Sequence, residues 1–315
     1  MKRLLPFALF FPVVMLFGQG RTPAPTINYK VVEDFFKVPT GHFYGEAVGI
    51  AIRSDGHILT LNRNSHHPFE EFDTNGNFVR EFGGDTEFIY APHTIRFDKN
   101  DNLWYVDAGN NLIVKFDKNL RIKETLGSRP EPWVFLTHGI ERALANPDHF
   151  YQPTDTAVSS DGSVFVTDGY GNSRVAKFDA TGKLVKYWGD RGTAPGQFNT
   201  PHSIVIDNND TVYVADRQNN RVQTFDTDGK LKSVYNLPGP AWSLCITPGA
   251  NQVIFVGSAG ALYKLGLDGK LLGEVHKPGQ VNGYLSSIHS LACPNEKTLY
   301  ISQEWVYRFD KLEIQ

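Results

Sequence analysis

Three histidines stand at equivalent places in a repeated sequence, and three imidazoles brought to one point make a metal site. The residues are His93, His202 and His289. Two of them lie in clear copies of one grammar, His93 in APHTIRFDKNDNLWYVD from Ala91 and His202 in TPHSIVIDNNDTVYVADRQNNR from Thr200, with QPTDTAVSSDGSVFVTDGYGNSR from Gln152 the third clear copy; His289 lies in a fainter copy from Ile288. Three histidines with an open fourth position are the ligand set of a catalytic zinc, although imidazoles also suit copper, nickel or iron. A single histidine could instead cap its own turn, as Pro92-His93 and Pro201-His202 would. The recurrence of all three favours the metal. Tyr170 in DGYGNSR, Arg217 in ADRQNNR and Arg63 in LNRN end strands that should crowd the same face. A phenol acidified by a metal and an arginine can act as a general base. For Arg217 the plainer reading is a pair with a neighbouring Asp. His66, His67, His138 and His149 fall in a loop or an insertion and read as surface residues. Asp107, Asp168 and Asp216 read as acceptors of backbone hydrogen bonds in turns.

The elements that must position these groups follow from the repeat itself. Fainter copies begin at Ala47, Ala241 and Ile288, which makes six. Aligned, they place Val48, His93, Thr154, His202, Trp242 and His289 in register, at intervals of 45, 61, 48, 40 and 47 residues. Each copy alternates apolar strands with Asn-, Asp- and Gly-rich turns. Repeats of this length and pattern predict four-stranded blades around a channel, an all-β six-bladed β-propeller. The landmark opens the innermost strand of its blade. The histidines then fall on blades two, four and six, which forms a triangle about the axis. The last copy carries three strands, and INYKVVEDFF near Ile27 alternates as a strand should. This N-terminal strand is therefore expected to complete blade six and close the ring, removing exposed edges. The longest interval contains SRPEPWVFLTHGIERALANPDHF, expected to be a loop with a short helix; long loops in compact domains are often functional.

Composition bounds the rest. The chain has 315 residues, net charge -3 and pI near 6.4, which excludes a basic field for a polyanion. Met1-Lys2-Arg3, the apolar run Leu4 to Phe17 and Gly18-Gln19-Gly20 have the layout of a secretory signal peptide. The expected organisation is a signal over 1–20 and one propeller domain over 21–315, periplasmic or secreted, with no membrane span after cleavage. Cys245 and Cys293 sit three and four residues past their landmarks, so strict pleating aims them at opposite faces and predicts free thiols.

These motifs resemble the NHL-repeat propellers and, among them, the peptidyl-α-hydroxyglycine α-amidating lyases. HFYQPTDTAV with VFVTDGYGNSR, PGQFNTPHSI with VYVADRQNNRVQ, and APHTIRFDKNDNLWYVD carry the likeness, which runs from about Ala47 to Phe309. The resemblance implies cleavage of a carbinolamide C–N bond, releasing a peptide amide and glyoxylate. It implies zinc on His93, His202 and His289, Tyr170 as the base, and Arg63 and Arg217 as active-site arginines. It also implies a structural calcium on the carbonyls of Ile50 and Ile95 and on an Asp directly after the last histidine. Here that residue is Ser290, so calcium affinity should fall or vanish. The family's methionine two residues before that histidine is Ser287, and Tyr151 and Gly171 replace one of its cysteine pairs. The alternative function is a non-catalytic NHL propeller that holds a protein or peptide on its face. A calcium lactonase would want Asn, Asp and Glu at the axis, where this chain has histidines.

Overall fold

The strands predicted by apolar alternation form, and they form in sets of four. The computed structural model describes residues 24–84, 89–128 and 149–315. Among these, twenty-four strands, β1 to β24, build six antiparallel four-stranded sheets. The signal-peptide segment and most of the insertion, with His138, lie outside the described residues. No described helix is long and apolar enough to cross a membrane.

The innermost strands are β2 (Ala47–Ile52), β6 (Pro92–Phe97), β10 (Asp155–Val158), β14 (Pro201–Ile206), β18 (Ser243–Ile246) and β22 (Ile288–Asn295). Their neighbours β3 (Ile58–Asn62), β7 (Leu103–Asp107), β11 (Val164–Asp168), β15 (Val212–Asp216) and β19 (Val253–Gly257) are buried throughout, as sheets covered on both faces must be. The apolar side chains gather into six clusters, each between neighbouring blades. Trp104, Val106 and Ile113 of blade two, for instance, pack on Val164 and Val166 of blade three. Hairpins turn on Asp side chains that accept the N–H two residues on, as at Asp73, Asp179 and Asp226.

The ring closes as the alternation near Ile27 predicts. β1 (Tyr29–Val32) pairs antiparallel with β24 (Arg308–Ile314), giving blade six the order β1-β24-β23-β22 with β23 at Thr298–Gln303. The first described residues thus lock to the last, and no blade is left with three strands.

The expectation of free thiols is corrected. Cys245 and Cys293 form a disulfide between the inner strands of blades five and six, with Cα atoms 6.0 Å apart. Strict pleating fails because the pairing of β22 with β23 shifts register between Ala292 and Asn295. Cys293 lies in that bulge, which turns its side chain from the face alternation would give it.

Candidate metal centre and its surroundings

A β-bulge marks the landmark in four blades. Pairing shifts register across Val48, His93, His202 and His289, so each is the extra residue opposite its partner strand. Bulges re-aim side chains. Here they send three imidazoles into the channel, where all three histidines are buried.

The ring centroids are 4.8 Å (His93–His202), 4.6 Å (His93–His289) and 5.0 Å (His202–His289) apart. One nitrogen from each lies within 4.8 Å of the others. The remaining nitrogens explain why the histidines alternate with other residues. His93 Nδ1 donates to the carbonyl of Thr154 at 2.5 Å, His202 Nδ1 to Trp242 at 2.6 Å and His289 Nδ1 to Val48 at 2.8 Å. Each acceptor is the landmark of the next blade. Odd blades thus need supply only a backbone oxygen, which any residue offers, and even blades supply the ring.

With every Nδ1 used as a donor, each Nε2 presents a lone pair to the axis. Tyr170 Oη lies 2.9 Å from His93 Nε2 and 3.0 Å from His202 Nε2, yet a phenol has one proton to give. His289 Nε2 is buried with no partner. Protonating the imidazoles is no remedy: burial, and beyond it the neighbouring rings at His93 and Arg217 at His202, push their pKa values well below the usual range. His289 is lowered too, mainly by burial, with Glu304 opposing. Three buried neutral imidazoles, held by backbone carbonyls with lone pairs converging, fit a divalent transition metal.

Calcium is a different case. Ser290 offers an uncharged hydroxyl, and its Oγ already accepts the N–H of Ile50 at 3.3 Å. Two to three residues along the inner strands from the histidines, the axis is filled by Arg96. Its guanidinium bonds Asp155 at 2.5 and 3.1 Å, Ser203 Oγ at 3.1 Å and the carbonyl of Leu244 at 3.1 Å. A cation is already built into the chain there, and the residues around Ile50 and Ile95 do not fit a second. Beyond Arg96 the opposite mouth widens into a cavity of about 640 Å³ lined by Ile50, Ile204, Ile246 and Leu291.

The arginines divide. Arg63 is paired: Nη1 donates to Glu46 Oε2 at 2.6 Å and to Glu304 Oε1 at 2.9 Å. Arg217 has no carboxylate partner among the described residues, and its Nε is buried without a bond. Its guanidinium lies 5.5 Å from the Tyr170 ring and 5.0 Å from the Trp242 ring. The expected pair with Asp216 goes to Arg221 instead, at 2.7 Å. Burial raises the Tyr170 pKa, while Arg217 and Arg63 pull it down. Tyr151 and Gly171 do come together: a Cβ at 171 would meet the Tyr151 ring at 1.9 Å, so glycine is required there.

Glu46, Glu304 and Trp305 are additions the repeat alone did not single out. Aligning SQEWVYR of blade six with ADRQNNR of blade four would have placed Glu304 where blade four has Arg217. Asp107, Asp168 and Asp216 accept backbone N–H groups from Ala91, Tyr151 and Asn199. His67 stacks on His42 at 4.0 Å, and both face Glu81, apart from the triad and partly exposed.

Residues 153–264 match a protein family described as a 6-bladed beta-propeller. A peptidylglycine alpha-amidating monooxygenase of Rattus norvegicus is 31% identical over 243 residues, covering 68% of this chain and 24% of that protein. A probable peptidyl-alpha-hydroxyglycine alpha-amidating lyase of Caenorhabditis elegans is 33% identical, covering 58% of this chain and 55% of its own. NHL repeat-containing protein 3 of Homo sapiens is 28% identical, covering 68% and 62%. The chain thus spans a quarter to under two thirds of the length of these relatives. Among solved structures, a streptogramin B lyase superposes with a TM-score of 0.60 at 15% identity, covering 92% of this chain and 98% of that one. A gluconolactonase of Xanthomonas campestris gives 0.64 at 14%, covering 93% and 98%. These last two likenesses show the fold. The chain is a six-bladed β-propeller with homologues among the amidating lyases and the NHL-repeat proteins.

Proposed function

We propose that this propeller, a relative of amidating lyases, is an exported zinc-dependent lyase that cleaves the C–N bond of a carbinolamide. A peptidyl-α-hydroxyglycine would give a peptide amide and glyoxylate. The observation that carries the reading is the arrangement of three Nε2 lone pairs around one point with a single phenolic proton to share. His93, His202 and His289 would hold the metal. When bound, it supplies positive charge that acidifies the substrate hydroxyl and, with Arg217, the Tyr170 phenol.

Arg217 has no carboxylate partner among the described residues and keeps an unbonded Nε, so it would take the substrate carboxylate, a bidentate partner for which planar donors are suited. Arg63 is neutralised by Glu46 and Glu304 and acts by holding that side of the site in place. Tyr170 takes the hydroxyl proton. The oxygen lone pair then forms the C=O of glyoxylate as the C–N bond breaks. The amide nitrogen keeps the electron pair of the broken C–N bond and receives the proton back from Tyr170, so no atom is left over. Burial around the triad keeps water from competing for these charges.

Elemental analysis of the full chain beside His202→Ala, with glyoxylate release from an α-hydroxyglycine peptide, tests the proposal. We expect near one zinc per chain, lost with activity in the variant. Wild-type protein that stays folded, takes up no added zinc and releases no glyoxylate would refute the lyase and leave a propeller that binds a protein or peptide.

A further inference from the structure

Blade six breaks a local rule on the face that carries the triad. Blades four and six both follow their second strand with a short 3-10 turn capped by a left-handed residue. In blade four the turn is Arg217–Asn219 and the cap is Asn220, at φ 51°. In blade six it is Glu304–Val306 and the cap is Tyr307, at φ 53°. Asn tolerates that conformation, whereas an aromatic residue does so at a cost. The same turn leaves Trp305 57% and Tyr307 54% exposed, where blade four has Gln218 and Asn220. Turn chemistry and burial therefore both argue against these residues on grounds of stability.

Trp305 is not isolated. Its ring meets Trp242 edge to face at 5.3 Å, and Trp242 lies 6.1 Å from the His202 ring and 5.0 Å from Arg217. Trp242 is the landmark of blade five. Only its backbone oxygen serves the triad, so its side chain is free, unlike the fully buried Val48 and Thr154 of the other odd blades. A continuous aromatic path thus runs from the triad, past the Arg217 guanidinium, to solvent.

We propose that Trp242 and Trp305 form a subsite for an apolar or aromatic side chain on the substrate residue that precedes the cleaved bond. The assignment rests on the lyase reading. With the substrate carboxylate on Arg217 and its hydroxyl at the triad, the rest of the peptide leaves across Trp242. The first side chain it carries then meets Trp305, where stacking on a rigid ring gains contact at little entropic cost.

The test compares α-hydroxyglycine substrates bearing Phe or Gly at that position, on the full chain and on Trp305→Ala, with Trp305→Phe as the conservative control. The wild type should prefer Phe, chiefly through KM. The Phe-to-Gly ratio of kcat/KM should fall about tenfold in Trp305→Ala, as for other lost aromatic contacts, and recover in Trp305→Phe. Unreacting peptides ending in Phe-Gly and Gly-Gly, titrated by tryptophan fluorescence and calorimetry, separate the two proposals. If no substrate turns over but Phe-Gly binds more tightly in a manner lost with Trp305, the subsite stands and the lyase falls. Equal or absent binding of the two peptides by the wild type, or a preference kept in Trp305→Ala, overturns the subsite.

Discussion

Each histidine of the triad uses one nitrogen to fix its ring and keeps the other for the axis, and this division makes the metal-free site sensitive to acid. The native pKa values of His93 and His202 lie well below the ordinary 6.5, with burial the largest cause, and that of His289 lies below it. The unfolded chain therefore binds protons that the folded one refuses. Their contribution to stability is complete above pH 6.5 and is lost as pH falls from there toward the depressed native values. Each titrating histidine should add a slope of about 1.4 kcal/mol per pH unit. Thermal melts of chelator-treated protein from pH 7.5 to 5 should show this decline beginning near 6.5, and His202→Leu should flatten it by one histidine's share. A flat profile down to pH 5 would contradict the depressed values. The triad was legible in the sequence because a repeat converts register into position: three histidines at one landmark must meet if the ring closes. The partners of Arg63 were not legible, because Glu46 and Glu304 lie in blades one and six and meet only across the closure.

At the scale of elements, the fold was legible to the level of blade and strand order, including the use of the chain's early strand in the last blade. What escaped are departures from regular pleating. The bulge around Cys293 reverses the expected orientation of one thiol, and nothing in LACPNEK announces it except Pro294. The blade-six turn is the other departure, and it yields a prediction about stability. Tyr307 sits at φ 53° with over half its surface exposed, while blade four puts Asn220 at the same place. Tyr307→Asn removes left-handed strain and gives up little burial, so it should stabilise the protein by about 0.5–1 kcal/mol. Urea denaturation would read this as a higher midpoint with unchanged slope. A lower midpoint would mean that the Tyr307 ring contributes packing that outweighs its backbone strain.

The whole molecule is held at its centre by one side chain. Arg96 leaves blade two and reaches Asp155 of blade three, Ser203 of blade four and Leu244 O of blade five, with Leu291 O of blade six at 3.5 Å. Asp155 also accepts Ser203 Oγ at 2.7 Å and the N–H of Ile204 at 3.1 Å. A propeller buries apolar surface only between neighbouring blades, so nothing in its six clusters ties blades across the channel. Arg96 supplies that tie, between the triad and the opposite cavity. The Asp155 side chain is 2% exposed and that of Arg96 18%. Asp155→Asn leaves a guanidinium without its counter-charge in a site of low water access. The expected loss is about 3–5 kcal/mol, the range for breaking one partner of a buried ion pair. Replacing both groups, in Arg96→Met with Asp155→Asn, removes the orphaned charge along with the tie and should cost less than Asp155→Asn alone. Denaturant midpoints of the wild type, both single variants and the double variant give the coupling directly. Adding calcium should not raise the wild-type midpoint, because the guanidinium already carries the positive charge at that level of the axis. Additive losses in the cycle would show that Arg96 and Asp155 stabilise their own blades separately, and that the ring is closed by its neighbour contacts and β1 alone.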